Sequence, residues 1–262
     1  RMKVALVSFN PVWENKTANR TKVAEHLQAI ASRDCDWAVF PEMTLTGFTM
    51  NVGACAEDWP DAPSICFFRD QAVLHKVYLS FGVILKCGDR ATNNLVTVSP
   101  QGEIVASYAK IHPFSRSGED AYYCGGDRFV WGEIAGVRTG MSVCYDLRFP
   151  EMFQILSKEC RVIVNIACWP EKRVAHWTAL LRARAIENQV FFIGVNRTGR
   201  DENNFNYCPS SRIVSPRGEV LRGEKVNGEI AVFEIDPKQV DDYRKSFPVK
   251  KDRRPELYKP ML

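Results

Sequence analysis

Three side chains in this sequence are of types that could do chemistry together, although they stand far apart along the chain. The run Met141-Ser142-Val143-Cys144-Tyr145-Asp146-Leu147-Arg148-Phe149-Pro150-Glu151 reads as the end of a buried strand, a Cys at a sharp turn, and the start of a helix. Backbone N–H groups and the positive end of a helix dipole would favour a thiolate there and an oxyanion developing beside it. A Cys so placed reads as a nucleophile. Glu42, in Phe40-Pro41-Glu42-Met43, follows the apolar run 37–40, and Lys110, in Tyr108-Ala109-Lys110-Ile111-His112, follows the apolar run 104–109. A carboxylate, an ammonium and a thiol at the ends of strands suggest one active site.

Each assignment has a plainer rival. Free Cys is among the most buried residue types and is usually a small core hydrophobe. A Glu or Lys at a strand end is often only a solvated charge. Read singly, none of the three decides the matter.

Their combination does more. Glu42 in a PEM context, Lys110 in KIHPF and Cys144 in CYDLRFPE, in that order, resemble the Glu-Lys-Cys triad of the carbon-nitrogen hydrolases, also called the nitrilase superfamily. The likeness runs through 123–127 (YCGGD), 165–170 (NIACWP), His176-Trp177, 182–189 (RARAIENQ) and 215–219 (SPRGE), and so covers nearly the whole chain. It implies the family's four-layer αββα sandwich. It also implies Cys144 as nucleophile, Glu42 as general base, and Lys110 with the backbone N–H of Tyr145 as oxyanion donors. Glu119 stands where many members carry a second glutamate that hydrogen-bonds the lysine and helps to place substrate; read alone it is a loop charge.

The segments NIACWPEKRVAHW and RARAIENQ look most like the ω-amidase branch. That likeness implies hydrolysis of the terminal amide of a small dicarboxylate monoamide, 2-oxoglutaramate or 2-oxosuccinamate, to acid and ammonia through a Cys thioester. An N-carbamoyl amide hydrolase with the same triad is one alternative, and a non-catalytic thiol redox or interaction protein of the same fold is another. Trp169 is expected to line the pocket, with core packing as the rival reading. A planar guanidinium suits a substrate carboxylate, and Arg173 is the preferred candidate over Arg116. Arg148 is expected to form a structural ion pair with Glu151, three residues on along a helix. Where many relatives have a Gly-containing YxGxS segment, this chain has Tyr207-Cys208-Pro209-Ser210-Ser211, a departure on the far wall of the pocket.

Composition bounds the alternatives. With 262 residues, 45% hydrophobic and 25% charged, the chain can bury one large α/β core, and a single domain over 1–262 is expected. The formal charge is only +4, and no Lys/Arg block interleaves with aromatics, so no nucleic-acid partner is expected. Lys250, Lys251, Arg253 and Arg254 read as a solvated tail. No apolar stretch approaches the ~20 residues of a membrane span, so a cytoplasmic enzyme without a membrane partner is expected. Nine cysteines without a CxxC pair and four scattered histidines argue against a disulfide framework or a metal site. No cofactor is implied, and the family resemblance implies a homodimer.

Periodicity alternates strands with helices. Strands are expected over 3–9, 38–40, 78–86, 94–99, 104–108, 162–166, 190–196, 212–215 and 230–235, and helices over 17–32, 63–76, 149–157, 174–189 and 237–245. Pro100-Gln101-Gly102-Glu103 and Ser215-Pro216-Arg217-Gly218-Glu219 read as hairpin turns.

Overall fold

Residues on β1 (Met2–Val7) alternate between two cores. Met2, Val4 and Leu6 join one buried cluster, whereas Ala5 and Val7 join another. A strand with period-2 side chains and both faces buried must lie inside a layered stack. The computed structural model describes residues 1–258, and the chain continues through α1 (Lys16–Ile30), β2 (Trp37–Val39), α2 (Val52–Cys55), α3 (Pro63–His75), β3 (Tyr78–Cys87), β4 (Arg90–Val98) and β5 (Ile104–Ala109). It then runs α4 (Glu119–Tyr122), β6 (Trp131–Ile134), β7 (Val137–Val143), α5 (Pro150–Glu159), β8 (Val162–Ala167), α6 (Val174–Asn188) and β9 (Phe191–Asn196). Short strands β10 (Gly199–Arg200), β11 (Asn206–Tyr207), β12 (Arg212–Val214) and β13 (Glu224–Lys225) precede β14 (Ile230–Ile235) and α7 (Lys238–Ser246).

Two large sheets result, one in the order β13-β14-β1-β2-β3-β4-β5 and one in the order β12-β9-β8-β7-β6, while β10 and β11 pair as a separate two-stranded sheet. Val4, Trp37, Val39, Leu95 and Tyr108 of the first sheet share a core with Met141, Val143, Val164 and Val195 of the second. On the far side of the first sheet, Ala5, Phe40 and Phe81 pack against Val23 and Leu27 of α1 and Phe68 of α3. On the far side of the second sheet, α6 comes so close to β9 that a Cβ at Gly194 would lie 2.6 Å from the Leu181 side chain. The architecture is the four-layer αββα sandwich.

Local chemistry sets the element ends. Asn15 caps α1 by accepting from the Ala18 N–H at 3.0 Å, and Pro63 opens α3 where its missing N–H costs nothing. α3 and α6 stop at left-handed Lys76 and Gln189. The helix expected to follow directly from Cys144 is broken in two. Cys144–Arg148 form a separate 3-10 turn, and α5 begins only at Pro150. Pro150 disfavours helical backbone at the residue before it, and Phe149 is extended, with φ −107° and ψ 96°.

The fold places β2, β5 and β7 so that their C-terminal ends, which lead into Glu42, Lys110 and Cys144, open toward one region. A tight contact fixes the first of these. A Cβ at Gly82 on β3 would lie 2.1 Å from the Met43 nitrogen and 2.7 Å from the Glu42 carbonyl carbon. Gly82→Ala must therefore displace the Glu42 turn, and it should lower the thermal midpoint by about 5 °C, the usual consequence of overpacking by 1–3 kcal/mol. Gly53→Ala, with no atom within 4 Å of its added carbon, should leave the midpoint near wild type in the same melting experiment.

Candidate active site

The three groups meet. Glu42 leaves β2 through Pro41, and the next residue, Met43, is held in the left-handed region at φ 46°. Thr44 locks that turn to β3: its N–H donates to the Gly82 carbonyl at 3.1 Å, and its hydroxyl accepts from the Gly82 N–H at 2.9 Å. Lys110 extends β5, with its N–H on the Asn93 carbonyl at 2.8 Å and its carbonyl accepting from Gly126 at 2.8 Å. A Cβ at Gly126 would lie 2.2 Å from the Ala109 carbonyl oxygen, which explains the glycines of the YCGGD segment. Its Asp127 is exposed and pairs only with neighbouring Arg128.

Cys144 also has positive φ, 45°, the second non-Gly residue of the site to adopt this costly conformation. Asp146 holds the turn in place. Its buried carboxylate accepts from the Val143 N–H at 2.9 Å, the Tyr108 hydroxyl at 2.7 Å, and the N–H and Nδ1 of His112 at 3.1 and 2.8 Å. The Cys144 turn is thus tied to both sides of Lys110. Buried Arg184 closes the other end of the turn by donating Nε and Nη2 to the Leu147 carbonyl.

At the centre is one ammonium between two carboxylates. Lys110 Nζ lies 3.0 Å from Glu42 Oε1 and 2.8 Å from Glu119 Oε2, and all three side chains are at most 1% exposed. Asn93 Nδ2 donates to both carboxylates, at 2.7 Å to Glu42 and 3.0 Å to Glu119. The remaining Glu42 oxygen accepts from the Cys168 N–H at 2.8 Å, and Glu119 Oε2 accepts from the Phe114 N–H at 2.6 Å. Burial alone would lower the Lys110 pKa, but the Glu119 and then the Glu42 carboxylates outweigh it and hold the ammonium well above its usual range.

At the thiol, the pull toward a thiolate expected of a helix N-terminus is opposed by other effects. Burial, followed by the Glu42 charge, pushes Cys144 well above the ordinary thiol range, against the pull of Lys110. That direction agrees with a Cys144 that needs a neighbouring base to lose its proton. The long helix starts only at Pro150, and Glu42 and Glu119 face the thiol as well as Lys110.

Cys144 opens on a cavity of about 370 Å³. Tyr145, Trp169, Arg116 and Arg173, all expected near substrate, line it, and so do Arg148 and Lys172. Trp169 is both pocket wall and core: it is 3% exposed, and its Nε1 donates to the Arg173 carbonyl at 2.8 Å. Tyr145 leans on Phe114, with ring centroids 4.7 Å apart. Arg173 lies over the Phe114 ring and Arg116 is exposed at the rim. Arg148 corrects an expectation, because it makes no ion pair with Glu151. Its guanidinium lies 4.8 Å from the Trp169 ring and donates to His176 Nδ1 at 3.3 Å, since the break at Pro150 removes the helical i, i+3 geometry. On the departing wall, Tyr207 donates to Asp201 at 2.7 Å. Sequence reasoning missed Asn93, Asp146 and Cys168 as parts of the site. The Asn93-Asn94 pair, just ahead of the apolar Leu95-Val96, was the one available sign for Asn93. Among the described residues, no three His, Cys, Asp or Glu side chains gather as a metal-ligand set.

This geometry agrees with what the chain resembles. Residues 3–245 match the carbon-nitrogen hydrolase family model, and the chain belongs to that family. It is therefore a hydrolase acting on carbon–nitrogen amide bonds. It is 34% identical to omega-amidase YafV of Yersinia enterocolitica over 94% of each chain. It is likewise 34% identical to 2-oxoglutaramate amidase of Bacillus subtilis, over 93% of this chain and 94% of that one. In three dimensions it matches a CN-hydrolase superfamily protein from Xanthomonas campestris with a TM-score of 0.89 at 28% identity, over 97% of each chain. The fold is shared as well with Saccharomyces cerevisiae Nit3, at a TM-score of 0.84 and 23% identity over 97% of this chain and 96% of that one.

The Asn93 bridge yields a test. Asn93→Ala removes a donor shared by two buried carboxylates and should cost roughly 1.5–3 kcal/mol of stability. Asn93→Asp places a third carboxylate around one ammonium and should cost clearly more. Urea unfolding midpoints measure both, and equal losses would show that the bridge does not carry this charge balance.

Proposed function

We propose that the chain is a thiol-dependent ω-amidase, which hydrolyses the terminal amide of a small dicarboxylate monoamide of the 2-oxoglutaramate type through a thioester on Cys144. The observation that carries this reading is the buried Glu42–Lys110–Glu119 cluster, whose Lys110 lines, together with Cys144, a pocket edged by Arg116, Arg148, Lys172 and Arg173. Relatives named omega-amidase and 2-oxoglutaramate amidase support the substrate class.

The steps follow from the groups present. The Cys144 sulfur attacks the amide carbonyl carbon while Glu42 takes the thiol proton. The carbonyl π electrons move to oxygen, and the oxyanion is held by the Lys110 ammonium and the Tyr145 N–H, donors of a kind worth about 3 kcal/mol each. Collapse breaks the C–N bond, and the Glu42 proton passes to nitrogen, so ammonia leaves and a thioester remains. Glu42 then takes a proton from water as its oxygen attacks the thioester; collapse expels the Cys144 sulfur, which recovers that proton. Glu119 keeps Lys110 charged and aimed throughout. It does not exchange protons with substrate.

Specificity needs a cation at the remote end of the substrate. Arg173 is the candidate, because its guanidinium is half-buried over the Phe114 ring at the pocket edge and makes no ion pair among the described residues. The amidated end would then reach Cys144 across an apolar wall of Phe48, Phe114 and Trp169.

Cys144→Ala should abolish ammonia release with the fold intact, and wild type mixed with 2-oxoglutaramate should show an acyl adduct on Cys144 by intact mass. Near wild-type turnover in the Ala variant would remove the nucleophile from this account. Arg173→Ala should lower kcat/KM for 2-oxoglutaramate by roughly 1.5–3 kcal/mol, the usual worth of a charged hydrogen bond, and hardly affect an uncharged amide of similar length. A panel that adds N-carbamoyl amino acids decides the substrate class: preferred release of ammonia from a ureido group would overturn the ω-amidase reading.

A further inference from the structure

Two cysteines of this chain meet outside the active site. Cys87 ends β3 and Cys124 follows α4, 37 positions further on, with the Cys124 sulfur 3.9 Å from the Cys87 carbonyl oxygen. Both are partly exposed, beside the exposed residues Gly88, Asp89 and Gly125. The backbones around them are already docked. Tyr123 bridges to Ala91, the Cys124 N–H donates to the Ala91 carbonyl at 2.7 Å, and Arg90 donates to the Asp120 carbonyl at 3.2 Å. These contacts hold the end of the α4 segment, which carries Glu119 at its start, against the β3–β4 hairpin.

We propose that Cys87 and Cys124 form a reversible disulfide when the enzyme meets a small-molecule disulfide oxidant, and that the bond clamps the Glu119 segment onto the β3–β4 hairpin. The site is independent of the amide chemistry and of Cys144. Nearness to Cys124 pushes the Cys87 thiol up, which disfavours Cys87 as the first nucleophile and leaves that step to Cys124. Its thiolate attacks one sulfur of the oxidant; the S–S bond breaks and one oxidant thiol leaves, giving a mixed disulfide on Cys124. Cys87 then loses its proton to solvent and attacks the Cys124 sulfur, and the second oxidant thiol leaves. Two protein thiols are oxidised and one disulfide is reduced to two thiols. Docked backbones keep the reorganisation small, as bridging requires Cα atoms within about 7 Å. A long closed loop makes the bond stabilising.

The test incubates the fully reduced enzyme with excess oxidised glutathione, alkylates the remaining thiols, and maps peptides by mass spectrometry without reduction. A Cys87–Cys124 linked peptide, reversed by dithiothreitol, is expected, together with a rise of about 5 °C in the thermal midpoint. Cys87→Ser should keep basal hydrolysis, lose both the linked peptide and the midpoint rise, and retain glutathione on Cys124. Persistent glutathione on Cys124 of wild type, or a linkage from Cys124 to another cysteine, would overturn the disulfide. A linked peptide with no midpoint rise would overturn the clamp.

Discussion

Everything at this site depends on one buried ammonium. Lys110 is almost wholly buried, with 1% of its side chain exposed, and desolvating a single ion costs on the order of several kcal/mol even after relaxation. The charge is sustained only because Glu42 and Glu119 face it from two sides and because each carboxylate has further donors, from Asn93, the Cys168 N–H and the Phe114 N–H. Removing any partner would strand the others. The cluster is thus pre-organised: its dipoles and charges stand in place before substrate arrives and need not reorganise during reaction. Burial and then the Glu42 charge push the nearby thiol up, against the pull of Lys110.

The sandwich exists to bring that cluster to one point. β2, β5 and β7 belong to two different sheets, so Glu42 and Lys110 come from one layer and Cys144 from the facing one. What holds the layers in register at the site is polar. Asp146 on the second sheet's turn accepts from Tyr108 and His112 on either side of Lys110, while Cys168, just past β8, donates to Glu42. Two residues with positive φ, Met43 and Cys144, also lie here, at the two groups that must face each other. The close approach at Gly82 and Gly126 is the complementary device: glycine lets neighbouring backbones press the turns into position.

Much of this was legible in the sequence, for definite reasons. The strands with two apolar faces and the helices with a capping residue or an initial Pro announce themselves by pattern. The triad and Glu119 are found because their local contexts are distinctive, and Tyr145, Trp169, Arg116 and Arg173 do reach the pocket. Asn93 escaped because its function lies in a contact with residues 51 and 26 positions away, which no local spacing records. Asp146 stood inside a quoted motif, yet its partners lie 38 and 34 positions back on another sheet. Arg148 was misread because spacing of three was taken as one helical turn, whereas Pro150 interrupts the helix between Arg148 and Glu151. For Cys144 a dipole argument weighs only the backbone, whereas burial and then the Glu42 charge push the thiol up, in keeping with a sulfur that needs a base.

The most direct measurement is a thiolate absorbance titration of Cys144, taken as the difference between wild type and Cys144→Ser, and repeated in a Glu42→Gln background. If burial and two carboxylates hold the resting sulfur as a thiol, wild type should show no Cys144 thiolate up to the ordinary thiol value of 9.0. Glu42→Gln should shift the titration to lower pH because one negative charge is gone, while amide turnover falls by roughly 100-fold or more with the loss of the base. A thiolate signal already present at neutral pH in wild type, and abolished by Glu42→Gln, would contradict the account, because it would mean that the proton rests on Glu42 before substrate arrives.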